Sequence, residues 1–176
     1  MRKTVLYIAM SLDGYVADVN GGVSWLSGDN SDPEAVGSYP DFYESIDTVI
    51  MGWRTYYQIK TELAPNDWPY KGKQSYVITH RESENQPGIC FYNGELAELI
   101  KALKKETGKN IWICGGAEIA QQLIKADLID RFCFSIIPTI LGSGVKLLPE
   151  LLSEKQLKLI RTESYNGIVD LVYSRR

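Results

Sequence analysis

Apolar residues along the chain form short strand-like runs that alternate with amphipathic, helix-like segments. Strand patterns cover residues 4–12, 47–52, 74–80, 89–93 and 111–116, and later ones cover 129–141, 157–166 and 167–175. Helical patterns cover residues 32–46, 53–63, 94–108 and 117–128. Strands that alternate with helices form parallel sheets, and the last two strands follow with no helix between them. The pattern therefore predicts an α/β fold with a mainly parallel mixed sheet, an antiparallel C-terminal edge and helices on both faces.

Size and charge narrow the class of protein. The 176 residues, of which 44% are hydrophobic and 23% are charged, match an ordinary globular chain and predict a single domain over residues 1–176. The formal charge of -3 gives no global basic field for a nucleic-acid partner. The first apolar run ends at Ser11 and Asp13, which is too short for a signal segment or a membrane span. We therefore expect a cytoplasmic protein without a membrane partner.

The inventory of reactive side chains disfavours hydrolases and metalloenzymes. His80 is the only histidine, so a multi-histidine metal site is impossible and a nucleophilic triad would depend on that one ring. Cys90, Cys114 and Cys133 are widely spaced within apolar runs, which favours buried, reduced thiols. We predict no metal site, and expect the reactive chemistry of an enzyme with this sequence to belong to an organic cofactor.

Two glycines stand where a strand gives way to a helix in "IWICGGAEIAQQLI", residues 111–124. Gly115 and Gly116 would let a ligand approach the backbone, and the helix that begins at Ala117 would offer unpaired N–H groups to an anion. The pair is less specific than a G-x-G-x-x-G motif. A plain tight turn is an equally good interpretation of these glycines taken alone.

Two further strand ends carry candidate phosphate ligands. Gly52 ends a strand and is followed by Arg54 and Thr55, whose guanidinium and hydroxyl groups could both contact a phosphate. The segment from Thr79 through His80 to Arg81 follows the next strand. Two glycine junctions suggest a dinucleotide, and the third segment favours NADPH over NADH. The alternative is that Arg54, His80 and Arg81 are solvated surface charges.

Four segments together carry a resemblance that covers nearly the whole chain: "SLDGYVA", "VIMGWRTY", "ICGGAEIAQQLI" and "IIPTILGSGVKLLP". In this order they resemble the dihydrofolate-reductase-like fold, closest to the reductase domain of the riboflavin-biosynthesis deaminase-reductase. The resemblance implies a three-layer fold with NADPH across the strand ends. It also implies hydride transfer to a small heterocyclic substrate, either pterin-like or riboflavin-precursor-like, the latter including the 5-amino-6-(5-phosphoribosylamino)uracil type. A homodimer is implied as well.

The same resemblance implies roles for individual residues. Cofactor contacts would come from Ala9, Leu12, Gly52, Arg54, Thr55, Thr79, His80, Arg81, Gly115, Gly116, Ala117, Glu118 and Ile119. Trp25 and Leu26 would lie on the substrate side, in or beside a loop that covers the nicotinamide, and Asp13 and Tyr15 are the candidate catalytic residues. The proton source stays open among Asp13, Tyr15 and water.

The chain also departs from the patterns that it resembles. Trp53 follows Gly52 where dihydrofolate reductases commonly carry arginine, Cys114 replaces an acid, and Tyr15 replaces a basic residue of the riboflavin-pathway reductase. The alternative function is a nucleotide- or ligand-binding protein of the same fold without turnover, because a fold does not by itself establish a function. A purely structural oligomerisation module is disfavoured by the two glycine junctions. Around Gly142 and Gly144, a substrate-side wall, a plain turn and a subunit interface all stay open.

Overall fold

One large sheet organises the chain in the computed structural model, which describes residues 1–148 and 154–176. The strands are β1 Thr4–Ser11, β2 Tyr15–Ala17, β3 Ile46–Gly52, β4 Gln74–Ile78, β5 Ile89–Tyr92, β6 Asn110–Gly115, β7 Arg131–Ile137, β8 Val145–Lys146, β9 Leu157–Tyr165 and β10 Ile168–Arg175. Of these, β2 and β8 form a separate two-stranded ribbon, and the others form the large sheet. The helices are α1 Tyr39–Glu44, α2 Trp53–Gln58 with a π-helical continuation Ile59–Leu63, α3 Leu96–Lys105 and α4 Ala117–Lys125.

The strand order of the large sheet is β5-β4-β3-β6-β1-β7-β10-β9. The strands from β5 to β7 run parallel, whereas β10 is antiparallel to both β7 and β9. The predicted mainly parallel sheet with an antiparallel C-terminal edge is thus confirmed. Because all the parallel strands end at one edge of the sheet, the loops that follow β1, β3, β4 and β6 meet there.

Helices cover both faces of the sheet, as the sequence predicts. On one face α3 and α4 insert apolar residues that are three and four positions apart, the helical spacing that forms a single stripe. Leu99, Ile100 and Leu123 are among these buried side chains. On the other face α1, α2 and the π-helical turn pack an aromatic-rich layer that includes Tyr56 and Trp112. None of the helices in the described part of the chain is long and apolar enough to cross a bilayer.

The predicted helix over residues 32–46 is wrong in its extent. Only Tyr39–Glu44 is helical, with Pro40 in the first turn, where its missing N–H group is not needed. Residues 32–38 instead follow turns that lie against the β9–β10 hairpin, with Asp32 N–H donating to Asn166 Oδ1. These long-range contacts outweigh the local helical pattern.

The long segment between β1 and α1 contains one short strand. Strand β2 pairs with β8 in an antiparallel ribbon, which ties the loop to the segment around Gly144. A Cβ atom at Gly144 would clash with the carbonyl oxygen of Ala17, so the two backbones approach as closely as only glycine permits. Pro149, the last residue of the "PTILGSGVKLLP" segment, lies outside the described residues.

Candidate active site

The two glycine junctions lie side by side at the carboxyl edge of the parallel strands. Strands β3 and β6 are neighbours, and Met51 pairs with Gly115 at their ends. A Cβ atom at Gly52 would lie 3.3 Å from Ile119 Cγ1, and one at Gly116 would lie 3.4 Å from Thr55 Oγ1. Each junction therefore packs against the helix of the other, so the two junctions are adjacent at this edge.

Glycine is required most clearly at position 115. Its φ angle is +114°, a conformation that residues with a Cβ atom rarely adopt, and an added Cβ would lie 3.3 Å from Ile8 Cδ1. The peptide bond between Gly115 and Gly116 is cis.

The first turn of α4 presents backbone donors to this edge. Gly116 is the N-cap residue, and no side chain caps the helix. The first N–H groups of a helix have no intrahelical partner, and they carry the positive end of the helix dipole. Ala117 and Ile119 are buried, whereas Glu118 is exposed. The arrangement can bind an anion through main-chain N–H groups.

Two arginines flank Trp53 beside the glycine junctions. The guanidinium carbon of Arg81 lies 5.1 Å from the centroid of the Trp53 ring, within the range of a cation–π contact. Arg54, the residue that follows Trp53 in α2, is exposed. The sequence predicts Arg54 and Arg81 as phosphate ligands. It does not reveal that the Trp53 ring positions Arg81, because tryptophan belongs to no phosphate-binding motif.

The segment after β4 is held by hydrogen bonds within itself and to the end of β5. Thr79 N–H donates to the carbonyl of Tyr92 at 3.0 Å, and Thr79 Oγ1 accepts from Arg81 N–H at 3.0 Å. His80 Nδ1 lies 2.7 Å from Asn93 Oδ1. The Thr79 side chain is thus occupied within the segment, and the exposed His80 and Arg81 are the groups that face outwards.

Asp13 is engaged by three donors. Its carboxylate accepts from Ser11 Oγ at 2.6 Å, from Gly142 N–H at 2.7 Å and from Leu141 N–H at 3.1 Å. The Ser11 hydroxyl, assisted by these backbone donors, holds the pKa of Asp13 below its usual value. These contacts favour a role in fixing the turn at Leu141 and Gly142, and a catalytic role for Asp13 stays a prediction.

Tyr15 binds the same turn as Asp13. Its hydroxyl donates to the carbonyl oxygen of Gly142 at 3.4 Å, while its N–H donates to Ser11 Oγ at 2.9 Å. Leu12, which precedes this ribbon, is largely exposed and donates its N–H to the carbonyl of Thr139. The "SLDGYVA" and "PTILGSGV" segments therefore form one structure at the end of β1.

Trp25 and Leu26 belong to the loop between β2 and α1, which contacts α2. Trp25 Nε1 donates to the carbonyl of Gly22 at 3.2 Å, and Gln58 Nε2 of α2 donates to the carbonyl of Gly21 at 3.1 Å. Leu26 is 41% exposed. Residues near Gly21 thus lie against the last residue of α2, at the end of the helix away from the Gly52 junction.

Sequence reasoning misses an aromatic cluster that packs in the core beside α1. Tyr7 stacks on Phe42 with a centroid distance of 4.3 Å, and Trp112 meets Phe42 edge-on at 5.4 Å. Ala9 lies on the same face of β1 as Tyr7 and is partly exposed.

Cys114 carries a protonated thiol at this edge. Burial raises its pKa to about 11, with a contact from the Tyr70 hydroxyl, 3.6 Å from its sulfur, opposing the shift. Where the riboflavin-pathway pattern has an acid, this chain therefore carries a neutral group. Among the described residues, no set of three His, Cys, Asp or Glu side chains is arranged to hold a metal ion.

A family model described as the RibD C-terminal domain matches residues 2–173. Among curated proteins, YwjB of Bacillus subtilis (strain 168) is 43% identical over 175 residues, which cover 99% of this chain and 98% of YwjB. YyaP of the same organism is 30% identical over 182 residues, covering 98% and 94% of the two chains.

Solved structures share the fold. A crystal structure described as a putative riboflavin biosynthesis protein from Shewanella sp. PV-4 superposes with a TM-score of 0.83 at 30% identity, covering 99% of both chains. The Thermotoga maritima diaminohydroxyphosphoribosylaminopyrimidine deaminase/5-amino-6-(5-phosphoribosylamino)uracil reductase superposes with a TM-score of 0.73 at 15% identity. That likeness, which covers 57% of the Thermotoga chain, concerns the fold alone.

Proposed function

The chain belongs to the RibD C-terminal domain family, and on that premise we propose that it is an NADPH-dependent reductase that delivers hydride to a small heterocyclic substrate. The observation that carries the proposal is the convergence of two glycine junctions at the carboxyl edge of one parallel sheet, with the helix N-terminus beside them uncapped. Ligands of open α/β sheets bind at this edge.

The residues at the edge fit the anionic half of NADPH. The N–H groups of Ala117, Glu118 and Ile119 would bind the pyrophosphate, since the absence of Cβ atoms at Gly115 and Gly116 permits a close backbone approach. Arg54 and Arg81 would bind the phosphate on the adenosine ribose, the group that separates NADPH from NADH. When it is bound, the reduced nicotinamide supplies hydride.

The other half of the edge would take the substrate. Ala9 is partly exposed near the end of β1 and would border the space for a planar heterocycle there. The loop carrying Trp25 and Leu26 would cover this space and exclude water during the transfer. Asp13 and Tyr15 would hold the adjoining turn, and the origin of the proton stays open among Asp13, Tyr15 and water.

The proposal is tested in two steps with the full chain. Titration with NADPH and NADH, followed by tryptophan fluorescence and thermal stabilisation, should give saturable binding with NADPH preferred. Acceptors that carry a pterin, an aminopyrimidine or a quinone ring are then screened for NADPH oxidation. Binding of NADPH without turnover of any acceptor would favour a ligand-binding protein of the same fold, and binding of neither nucleotide would refute the proposal.

A homodimer is part of the same proposal, by analogy with the riboflavin-type reductases. Sedimentation of the purified chain at several concentrations should give twice the monomer mass of 19.8 kDa. A monomer at every concentration would contradict this expectation.

A further inference from the structure

A cavity lies at the amino ends of β4 and β5, at the edge of the sheet opposite to the proposed cofactor site. It has a volume of about 550 Å³, and its lining includes Gln74 and Ile89, the first residues of the two strands. That volume falls within the range of small-molecule pockets, roughly 300–1,000 Å³. Strand β4 rises by about 3.3 Å per residue, so its first residue lies about 13 Å from the strand end that we assign to NADPH. We call this space the lysine cavity.

Two hydrogen-bonded turns form the rim of the lysine cavity. The first spans residues 70–73 and is closed by a 3.1 Å hydrogen bond from its last N–H to its first carbonyl. The second spans residues 86–89 and is closed by two hydrogen bonds of 2.9 Å between the backbones of its first and last residues. The third position of each turn is a glycine with positive φ, +78° at Gly72 and +75° at Gly88, as type II turns require. Ser75 N–H joins the two turns by donating to the carbonyl of Gly88 at 2.8 Å, so the rim is formed before any ligand binds.

Three lysines line the cavity, Lys60, Lys71 and Lys73. No acidic side chain belongs to the lining in the part of the chain that the structure describes. Lys73 is half-buried and held in place, because its ammonium group donates to the carbonyl of Ile46 at 3.0 Å and lies 4.1 Å from the centroid of the Tyr43 ring. The cavity therefore concentrates positive charge in a chain whose formal charge is -3.

The ammonium groups keep donors available for a ligand. An ammonium group has three N–H donors, so Lys73 retains two beside its bond to Ile46. Lys71 forms an ion pair with Asp67, but both side chains are mostly exposed, and little free energy opposes the exchange of this carboxylate for another anion. Lys60 forms no ion pair within residues 1–148 and 154–176. The three lysines can therefore bind one anion together.

An aromatic side chain completes the lining. Trp68 is half-buried, and a 3.3 Å hydrogen bond from its Nε1 to Ser75 Oγ orients the indole. Tyr70 meets the indole edge-on at a centroid distance of 5.2 Å and is itself buried, so Trp68 supplies the accessible ring surface. The face of an indole can stack with another planar ring. The cavity thus combines positive charge with one aromatic surface.

We propose that the lysine cavity binds a small phosphomonoester that carries a planar ring. The lysines bind the phosphate through charge-assisted hydrogen bonds, and Trp68 packs against the ring. Three ammonium groups match the three terminal oxygens and the double charge of a phosphomonoester better than the two oxygens and single charge of a carboxylate. The inference does not depend on the proposed function, because the cavity lies at the other edge of the sheet.

Three small probes separate the contributions of the phosphate and the ring. Phenyl phosphate carries both groups, glycerol 3-phosphate carries the phosphate alone, and phenol carries the ring alone. Each probe is titrated into the ¹⁵N-labelled full chain, and the NMR shifts of backbone amides at residues 70–73 and 86–89 give its Kd. We expect phenyl phosphate to bind about tenfold tighter than either other probe. Absence of shifts at these residues, or equal affinity of phenyl phosphate and either other probe, would overturn the inference.

The variant Lys60→Gln removes one positive charge from the cavity. Because Lys60 is exposed, we expect the variant to fold, with the Kd for phenyl phosphate raised about tenfold and the Kd for phenol unchanged. The matched control is Lys101→Gln, which removes an exposed lysine of α3 on the other face of the sheet and should leave every Kd unchanged. If Lys60→Gln loses its cooperative melting, Lys71→Gln takes its place with the same expected rise. An unchanged Kd for phenyl phosphate in the folded variant would overturn the inference.

The same titration with NADPH present separates this inference from the proposed function. We expect phenyl phosphate to shift the amides of residues 70–73 and 86–89 whether or not NADPH is bound. Shifts confined to residues 115–119 and abolished by NADPH would overturn the inference and leave the proposed function standing. Shifts at the cavity in a chain that does not bind NADPH would support the inference and refute the proposed function.

Discussion

Replacing Gly116 with aspartate should separate NADPH binding from stability. Gly116 is the N-cap residue of α4, with φ of -67° and ψ of -159°, a conformation that residues with side chains adopt readily. Its added Cβ would lie 3.4 Å from Thr55 Oγ1, at the edge of ordinary contact. Aspartate is also a favoured N-cap residue, so we expect the free energy of unfolding to change by no more than about 0.5 kcal/mol.

The effect on cofactor affinity should be much larger. The carboxylate would stand at the N–H groups that we assign to the pyrophosphate, and it would also compete for them as a cap. Two unit charges about 4 Å apart repel by roughly 1 kcal/mol in water and roughly 4 kcal/mol at an effective dielectric constant of 20. The Kd for NADPH should therefore rise between about fivefold and a thousandfold.

The matched control is Gly116→Ala, which adds the Cβ atom without the charge or the cap. Tryptophan fluorescence titration gives the Kd of each variant, and thermal melting reports its stability. We expect the Gly116→Asp variant to fold and to bind NADPH much more weakly than Gly116→Ala. Equal affinities of the two folded variants would refute the assignment of the pyrophosphate to this junction.

Four other outcomes follow from the structure. Arg81→Ala should raise the Kd for NADPH about tenfold or more with little change for NADH, because a charge-assisted contact to the ribose phosphate is lost; parallel titrations check this, and equal losses for both nucleotides would contradict it. Asp13, whose pKa is lowered by the Ser11 hydroxyl, stabilises the fold above its unfolded pKa of about 3.9, and this contribution is lost as the pH falls through the lower folded value. Thermal melting between about pH 2 and 6 should thus fall more steeply for wild-type protein than for Asp13→Asn. Cys114, with a pKa raised to about 11, should react with iodoacetamide at neutral pH far more slowly than a free cysteine, as mass spectrometry of the labelled peptide can establish. Leu123→Ala, at a fully buried position of α4, should lower the free energy of unfolding by about 2–5 kcal/mol in urea titrations, and a smaller loss would place Leu123 outside the core.

The elements that the sequence predicts best are those specified by local patterns. The stripe of Leu96, Leu99, Ile100 and Leu103 predicts α3 together with its buried face, and the structure confirms both. The order of strands and helices likewise predicts the parallel sheet, because short crossovers leave few alternatives. The sequence also reveals the two glycine junctions, because each lies at the end of a strand that the local hydrophobic pattern predicts.

The features that the sequence could not reveal depend on contacts between distant segments. The helical pattern of residues 32–38 is overridden by the β9–β10 hairpin, and Ser38 reaches Asp170 across 132 positions of the chain. The stacking of Arg81 on Trp53 joins two separate loops. The role of Asp13 cannot be assigned from local spacing, because its partners Leu141 and Gly142 lie 128 and 129 positions further along the chain.

Hydrogen exchange measured with and without NADPH tests the central claim most directly, because it locates the cofactor on the chain. We expect slower exchange of backbone amides at residues 115–119, 52–55 and 79–81, the three strand ends that meet at one edge of the sheet. Protection of these segments by NADPH, with a smaller effect from NADH, would support the site and its preference. Binding that protects other parts of the chain and leaves residues 115–119 unchanged would contradict it.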